Sequence, residues 1–301
     1  MSDELTYVYC LVRSARRPAL RGVRAGMPGS RALRVLEAGG NLWAVVTTVP
    51  AADYNEAGLA DGLQDLEWVG SRAMAHESVV EHFLRVGTVL PMQLFTLFTS
   101  DERALDHVAR DRARIERVVA RIDGRLEWGL RLSFDPKAAE ADAAPRPKPA
   151  RRAGDDSGAS YLARKRDVLQ ASRLRLAEAR READRLYAVL SEEAVEACRR
   201  TAIEQAVPDS RVVLDAAFLV ASTRGTAFKK AVERQTRQLA ASGVAVSLTG
   251  PWPAYNFIGD RGGTDGGAKK PRASGRRTPR SQTATATASR AAARRSARRR
   301  A

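Results

Sequence analysis

The sequence predicts an α+β protein of two folded units followed by a basic tail. Three observations carry this. Strand-like β-branched and aromatic runs alternate with stretches of helical period, a Pro/Ala/Gly-rich segment interrupts the pattern at 137–158, and all periodicity ends near residue 260. The expected boundaries are an N-terminal α+β domain over 1–136, a linker over 137–158, a C-terminal α+β domain with long helices over 159–259, and a disordered tail over 260–301. With 301 residues and 44% hydrophobic side chains, both units can bury a core.

The first strand is Thr6-Tyr7-Val8-Tyr9-Cys10-Leu11-Val12, a run suited to burial. Arg31 to Leu36 alternates imperfectly, and Gly39-Gly40-Asn41 turns it into Leu42 to Val49, giving a hairpin. Helical spacing follows over 65–86. Val89 to Phe98 is apolar but broken by Pro91, as in an edge strand. Thr99 and Glu102 have capping-box spacing, and a helix carrying Leu105, Val108, Ile115, Val119 and Ile122 stops at Gly124 before the strand Leu126 to Phe134.

The second unit opens with helical spacing from Tyr161 to about Val207, long enough to be broken near Ser191. Its apolar stripe is Tyr161, Val168, Leu176, Ala179, Ala183, Leu186 and Leu190. Pro208-Asp209-Ser210 turns into a strand over 211–222, a helix covers 226–241, Ser242-Gly243 closes it, and Val244 to Leu248 form a last strand. This is α-β-α-β; one more strand would make it ferredoxin-like.

The formal charge of +16 is unevenly placed. Residues 260–301 hold 13 basic and 2 acidic side chains, leaving 38 against 33 elsewhere. That tail lacks aromatic and large aliphatic residues, so it predicts weak, salt-dependent, sequence-indifferent binding to polyanions. Nucleic-acid binding through the tail is the alternative function. No apolar run approaches the length of a membrane span, and the acidic start Met-Ser-Asp-Glu is unlike a signal peptide, so a cytoplasmic protein is expected.

Catalytic and metal chemistry is not visible, and no cofactor is expected. His76-Glu77 resembles the start of a zinc-protease helix, but the second histidine, His82, stands at i+6 where the motif needs i+4. Glu77 and Glu81 form the kind of i, i+4 carboxylate pair that solvated helix faces carry. Cys10 lies mid-strand with no histidine near it in sequence. The unusual segment is Leu248 to Phe257, where Pro251 and Pro253 flank Trp252 and the rings of Tyr255 and Phe257 follow. Such a stiff aromatic arm seeks an apolar groove, either on its own chain as an interdomain clamp with Trp252 buried, or on a partner. Leu90, Pro91, Gln93 and Phe95 form a second candidate, an edge for a partner strand.

Six short motifs also resemble the gas vesicle protein L/F family. They are Tyr7-Val8-Tyr9, His76-Glu77 with Val79-Val80, Thr88-Val89-Leu90-Pro91, Glu127-Trp128-Gly129-Leu130-Arg131, Ser160-Tyr161-Leu162 with Lys165, and Leu248 to Phe257 around Gly250-Pro251-Trp252-Pro253. They occur in the family's order across residues 5–259. Two departures are the Gln93-Leu94-Phe95-Thr96 continuation and the basic tail. The resemblance implies two α+β domains, the second a modified ferredoxin-like fold with long helices, and a C-terminal arm packed between them. It also implies a non-enzymatic accessory protein of gas vesicle assembly that binds the hydrophobic shell protein and other accessory proteins.

Overall fold

The computed structural model describes residues 3–136, 158–200, 210–237, 239 and 243–259. The expected linker, apart from its last residue, and the basic tail lie outside these. Every described residue falls within the compact unit Met1–Gly266.

Strand β1 (Glu4–Arg13) is the centre of the first sheet, and its residues Tyr7 to Val12 are each at most 2% exposed. An unbroken apolar run of this kind needs cover on both faces. β1 pairs with β3 (Leu42–Pro50) on one side, and with β4 (Thr88–Pro91) and β5 (Leu97–Phe98) on the other. β2 (Arg34–Glu37) lies outside β3, joined to it through Gly39, Gly40 and Asn41, all at positive φ. All pairings are antiparallel. The β1–β3 register shifts between Val8 and Cys10, so Tyr9 and Cys10 both face one side of the sheet, while Val8 and Leu11 face the other.

Two short helices absent from the sequence reading, α1 (Ala51–Tyr54) and α2 (Glu56–Gly62), precede α3 (Leu66–Phe83). The helix expected before Gly124 is two helices, α4 (Asp101–Arg110) and α5 (Arg112–Ile122), divided at Asp111. Ser100, one residue after the expected Thr99, caps α4 by accepting from the Arg103 N–H.

The second sheet corrects the expected boundary. β6 (Arg125–Phe134), which the sequence reading gave to the N-terminal domain, pairs with β8 (Arg211–Ala221) and with β9 (Val244–Trp252). The order of elements is β6, α6 (Gly158–Glu193), β7 (Glu196–Arg199), β8, α7 (Gly225–Thr236), β9, and the sheet order is β7-β8-β6-β9, antiparallel throughout. This is the βαββαβ ferredoxin-like arrangement, and β6 is the strand that α-β-α-β lacked. Two further corrections concern segment ends. The long helix ends at Glu193, and 196–199 is a strand; the last strand runs through Pro251 to Trp252. Proline is tolerated there because β9 is an outer strand.

Three cores hold these layers. Tyr7, Tyr9, Val45 and Val49 of the first sheet pack on Val79, Val80 and Phe83 of α3. Val8, Leu11, Ala44 and Val46 on the opposite face pack with Val108, Ile115 and Val119 of α4 and α5, a core that also holds Ala217 and Leu219 of β8. The other face of the second sheet, with Leu130, Leu132 and Phe218, packs on Ala183, Leu186 and Leu190 of α6 and Phe228 of α7. The helical pair α4–α5 is therefore the layer shared by both sheets. No helix among the described residues is long and apolar enough to cross a membrane.

Candidate functional site

The segment after β9 bridges α3 and the second sheet. Gly250 makes the entry: its φ is 116°, and a Cβ there would lie 2.8 Å from the Glu127 carbonyl oxygen. The β6–β9 register shifts at this point, between Glu127 and Gly129. Beyond it, the Asn256 N–H donates to the Glu127 carboxylate at 2.8 Å, and the Asn256 side-chain amide donates to its other oxygen. Tyr255 Oη donates to Glu77 Oε2 of α3 at 2.8 Å. Arg114 and Arg121 of α5 donate to the Ile258 and Gly259 carbonyls at 3.2 and 3.1 Å. Phe257, 1% exposed, fills the core between the sheets together with Ala254.

Burial raises the carboxyl pKa of both Glu77 and Glu127, against the lowering effect of their Tyr255 and Asn256 hydrogen bonds. Burial likewise raises the Tyr255 hydroxyl, and the adjacent Glu77 charge adds to that. Beside Glu77, His76 Nδ1 shares a hydrogen bond with Tyr7 Oη at 2.7 Å, and burial pushes the imidazole down to about 4, so the ring is neutral at pH 7. The Phe95 N–H donates to the same tyrosine oxygen at 3.3 Å. The two carboxylates therefore engage the arm, and Glu77 also borders the groove beside Trp252, its Oε1 buried without a hydrogen-bond partner. Burial pushes the Cys10 thiol up, away from thiolate chemistry. Among the described residues no group of three or more His, Cys, Asp or Glu side chains could hold a metal.

The residues singled out in sequence separate in space. Phe257 and Pro253 are buried, Tyr255 and Trp252 are half-buried, and Pro251 is exposed. Trp252 is thus not the buried anchor; Phe257 takes that place. Trp252 instead helps line a groove of about 720 Å³ with Met74, Glu77, Glu81, Arg85 and Val86 of α3 and the turn after it. Leu90 and Phe95 belong to opposite cores of the first sheet, Pro91 is buried, and Gln93 is exposed. Phe95 has a left-handed backbone (φ 65°), a conformation that costs a non-glycine residue about 1–2 kcal/mol. Its ring packs 5.5 Å from that of Trp68. Sequence reasoning quoted Glu127 and Asn256 only within motifs, did not foresee their pairing, and placed Glu77 on a solvated face. The available signal was Glu127 itself, a carboxylate inside the apolar strand Leu126 to Leu132.

Four of the six quoted motifs meet here. Tyr7 touches His76, Glu77 touches Tyr255, and Asn256 touches Glu127. The model of the family described as gas vesicle synthesis protein GvpL/GvpF matches residues 5–259, nearly the whole chain. This chain belongs to the GvpL/GvpF family. It is 34% identical over 266 residues to gas vesicle protein L of Streptomyces sp. (strain CB03234), covering 86% of this chain and 94% of that one. To gas vesicle protein L2 of Halobacterium salinarum it is 28% identical over 274 residues, covering 84% and 91%. The fold resembles the crystal structures of GvpF from Anabaena sp. PCC7120, with TM-score 0.60 and 14% identity over 85% of this chain and 96% of that one. GvpF from Microcystis aeruginosa gives 0.57 and 16% over 86% and 100%. A gas vesicle accessory role follows from this GvpL/GvpF membership.

Proposed function

We propose that this GvpL/GvpF chain is a non-catalytic assembly factor that holds the hydrophobic gas vesicle shell subunit before it joins the wall. A subunit destined for an apolar wall exposes aggregation-prone surface beforehand, and an outer strand can occupy that surface by main-chain pairing. The observation that carries this reading is β9. It is an outer strand of nine residues with Ala245, Val246 and Ser247 exposed and no charged side chain along it. Strands of that length and polarity on an edge are templates for another strand. In the same reading the arm of Pro251, Trp252, Pro253, Tyr255 and Phe257 is a clamp that fixes β9 against α3. Leu90 and Pro91, in the outer strand β4 of the first sheet, with Gln93 and Phe95 after it, are a second and shorter candidate edge for a partner strand.

The test is capture of purified shell subunit by the full chain and by an Ala245→Lys/Val246→Lys variant. Lysines on an exposed edge leave the fold intact and block strand addition. Capture reduced at least tenfold, with the melting temperature unchanged, is expected; undiminished capture sinks the reading. A second activity rests on the charge of residues 260–301: weak polyanion binding in the cytoplasm. Deleting them should abolish salt-sensitive DNA binding and leave shell capture intact.

A further inference from the structure

Helix α6 changes character along its length. From Leu176 to Leu190 its stripe of Leu176, Ala179, Ala183, Leu186 and Leu190 packs on the second sheet. The same stripe continues toward the N-terminus at seven-residue steps through Leu169 and Leu162. There the side chains are 51% and 62% exposed, and Val168 beside them is 56% exposed. At 1.5 Å per residue the uncovered stretch from Leu162 to Leu176 is about 21 Å long. Of the two apolar positions per seven residues by which helices pack, this stretch keeps one, Leu162 and Leu169, widened by Val168, while the other falls on Lys165 and Ser172.

Charge decides which helix. Around the uncovered leucines stand Lys165, Arg166, Arg173 and Arg175, with Asp167 as the lone acid among residues 165–175. A second copy of this chain would oppose these cations with its own, an arrangement that helix pairs avoid. Segments 137–157 and 260–301 contain no aliphatic side chain beyond Ala and Pro, and the second is itself strongly basic. Segment 201–209 offers Ile203 and Val207 within nine residues tied at both ends to β7 and β8. We propose that Leu162, Val168 and Leu169 form a docking surface for an acidic amphipathic helix of another protein. The partner's apolar stripe continues the seam, and its Asp and Glu flanks meet the four cations. This surface is separate from β9 and does not depend on how the shell subunit is held.

The probe is a synthetic 21-residue helical peptide with Leu at both seam positions and Glu at the flanking positions. A twin peptide carries Lys in place of Glu. Each is titrated into the full chain at low and high salt, and into a Leu162→Glu/Leu169→Glu variant. The Glu peptide is expected to bind and to weaken about tenfold at high salt, and the Lys peptide to fail. In the variant, Glu-peptide binding should fall at least tenfold with the melting temperature unchanged. Four results of the titrations overturn the proposal. They are no binding of the Glu peptide, equal binding of both peptides, binding retained in the variant (which places the peptide on the basic tail), and a lowered melting temperature in the variant (which shows that the chain covers the stripe itself). A concentration-dependent dimer dissolved by the variant overturns it too, by naming a second copy as the occupant.

Discussion

The two sheets treat their edges differently. The first ends in four-residue strands on both sides, β2 and β4, and its central strand is sealed on both faces. The second sheet also has a four-residue strand, β7, on one side, but on the other it ends in nine-residue β9, exposed along most of its length. Short outer strands limit unwanted pairing, so the first sheet offers less edge to a partner. Among the described residues the second sheet leaves one edge unpaired, and buried Glu127 and half-buried Glu77 hold the arm that follows it. The contrast separates a scaffold from a surface.

The largest expected effect comes from the residue that joins the two. Phe257→Ala empties a fully buried site in the shared core and should cost about 3–5 kcal/mol, read by urea denaturation. Trp252→Ala, at a half-buried position on the groove, should cost less than half of that. Equal losses would show that the arm is anchored at both ends, not at Phe257.

The second effect is a pH dependence in which groups of opposite sense meet around α3. His76 packs on the first sheet and its pKa is lowered to about 4, so the unfolded chain takes up a proton before the folded one does. Its contribution is complete above the ordinary value near 6.5 and is lost as pH falls toward 4, by about 3 kcal/mol. Glu77 and Glu127 act in the opposite sense. Their raised pKa values favour the neutral folded forms, so their contribution is present below the ordinary carboxyl pKa and is lost as pH rises through the raised ones. Stability measured from pH 4 to 7 should therefore rise more steeply in Glu77→Gln than in the parent. An identical slope in the two proteins would mean that Glu77 has an ordinary pKa in the folded state.

A smaller effect is confined to the first sheet. Tyr7→Phe leaves His76 Nδ1 without its hydrogen-bond partner and the Phe95 N–H without its acceptor. The loss should be about 1–3 kcal/mol, with shell capture at β9 unchanged. A loss of capture in this variant would show that the two sheets are not separable in function.

Local chemistry made much of this legible. Tyr7-Val8-Tyr9 could only be a buried strand, and Gly39-Gly40-Asn41 could only be a turn with left-handed backbone. What failed was pairing, which no local signal carries. The strand over Leu126–Phe134 was recognised as a strand, but the proline-rich interruption after it was read as a boundary. In a βαββαβ fold the crossover begins right after the first strand, so that interruption lies inside the unit. β7 was missed because Glu196-Ala197-Cys198-Arg199 is too short to show alternation, and continued as helix by its neighbours. Glu127 and Asn256 lie 129 residues apart, and only the assembled fold shows that each satisfies the other. The likeness to a family supplied the functional context that composition alone could not.

The helical pair α4–α5 has one further consequence. Val108, Ile115 and Val119 belong to a single core shared by strands of both sheets. The first sheet carries the pair in its own stretch of chain, while the second sheet's inner face has no cover of its own, so opening either half bares apolar surface on the other. Heat or urea meets one cooperative object, not two beads on a string. Dividing the polypeptide anywhere between Ile122 and Val244 leaves the pair on the N-terminal piece and strips the inner face from the C-terminal one.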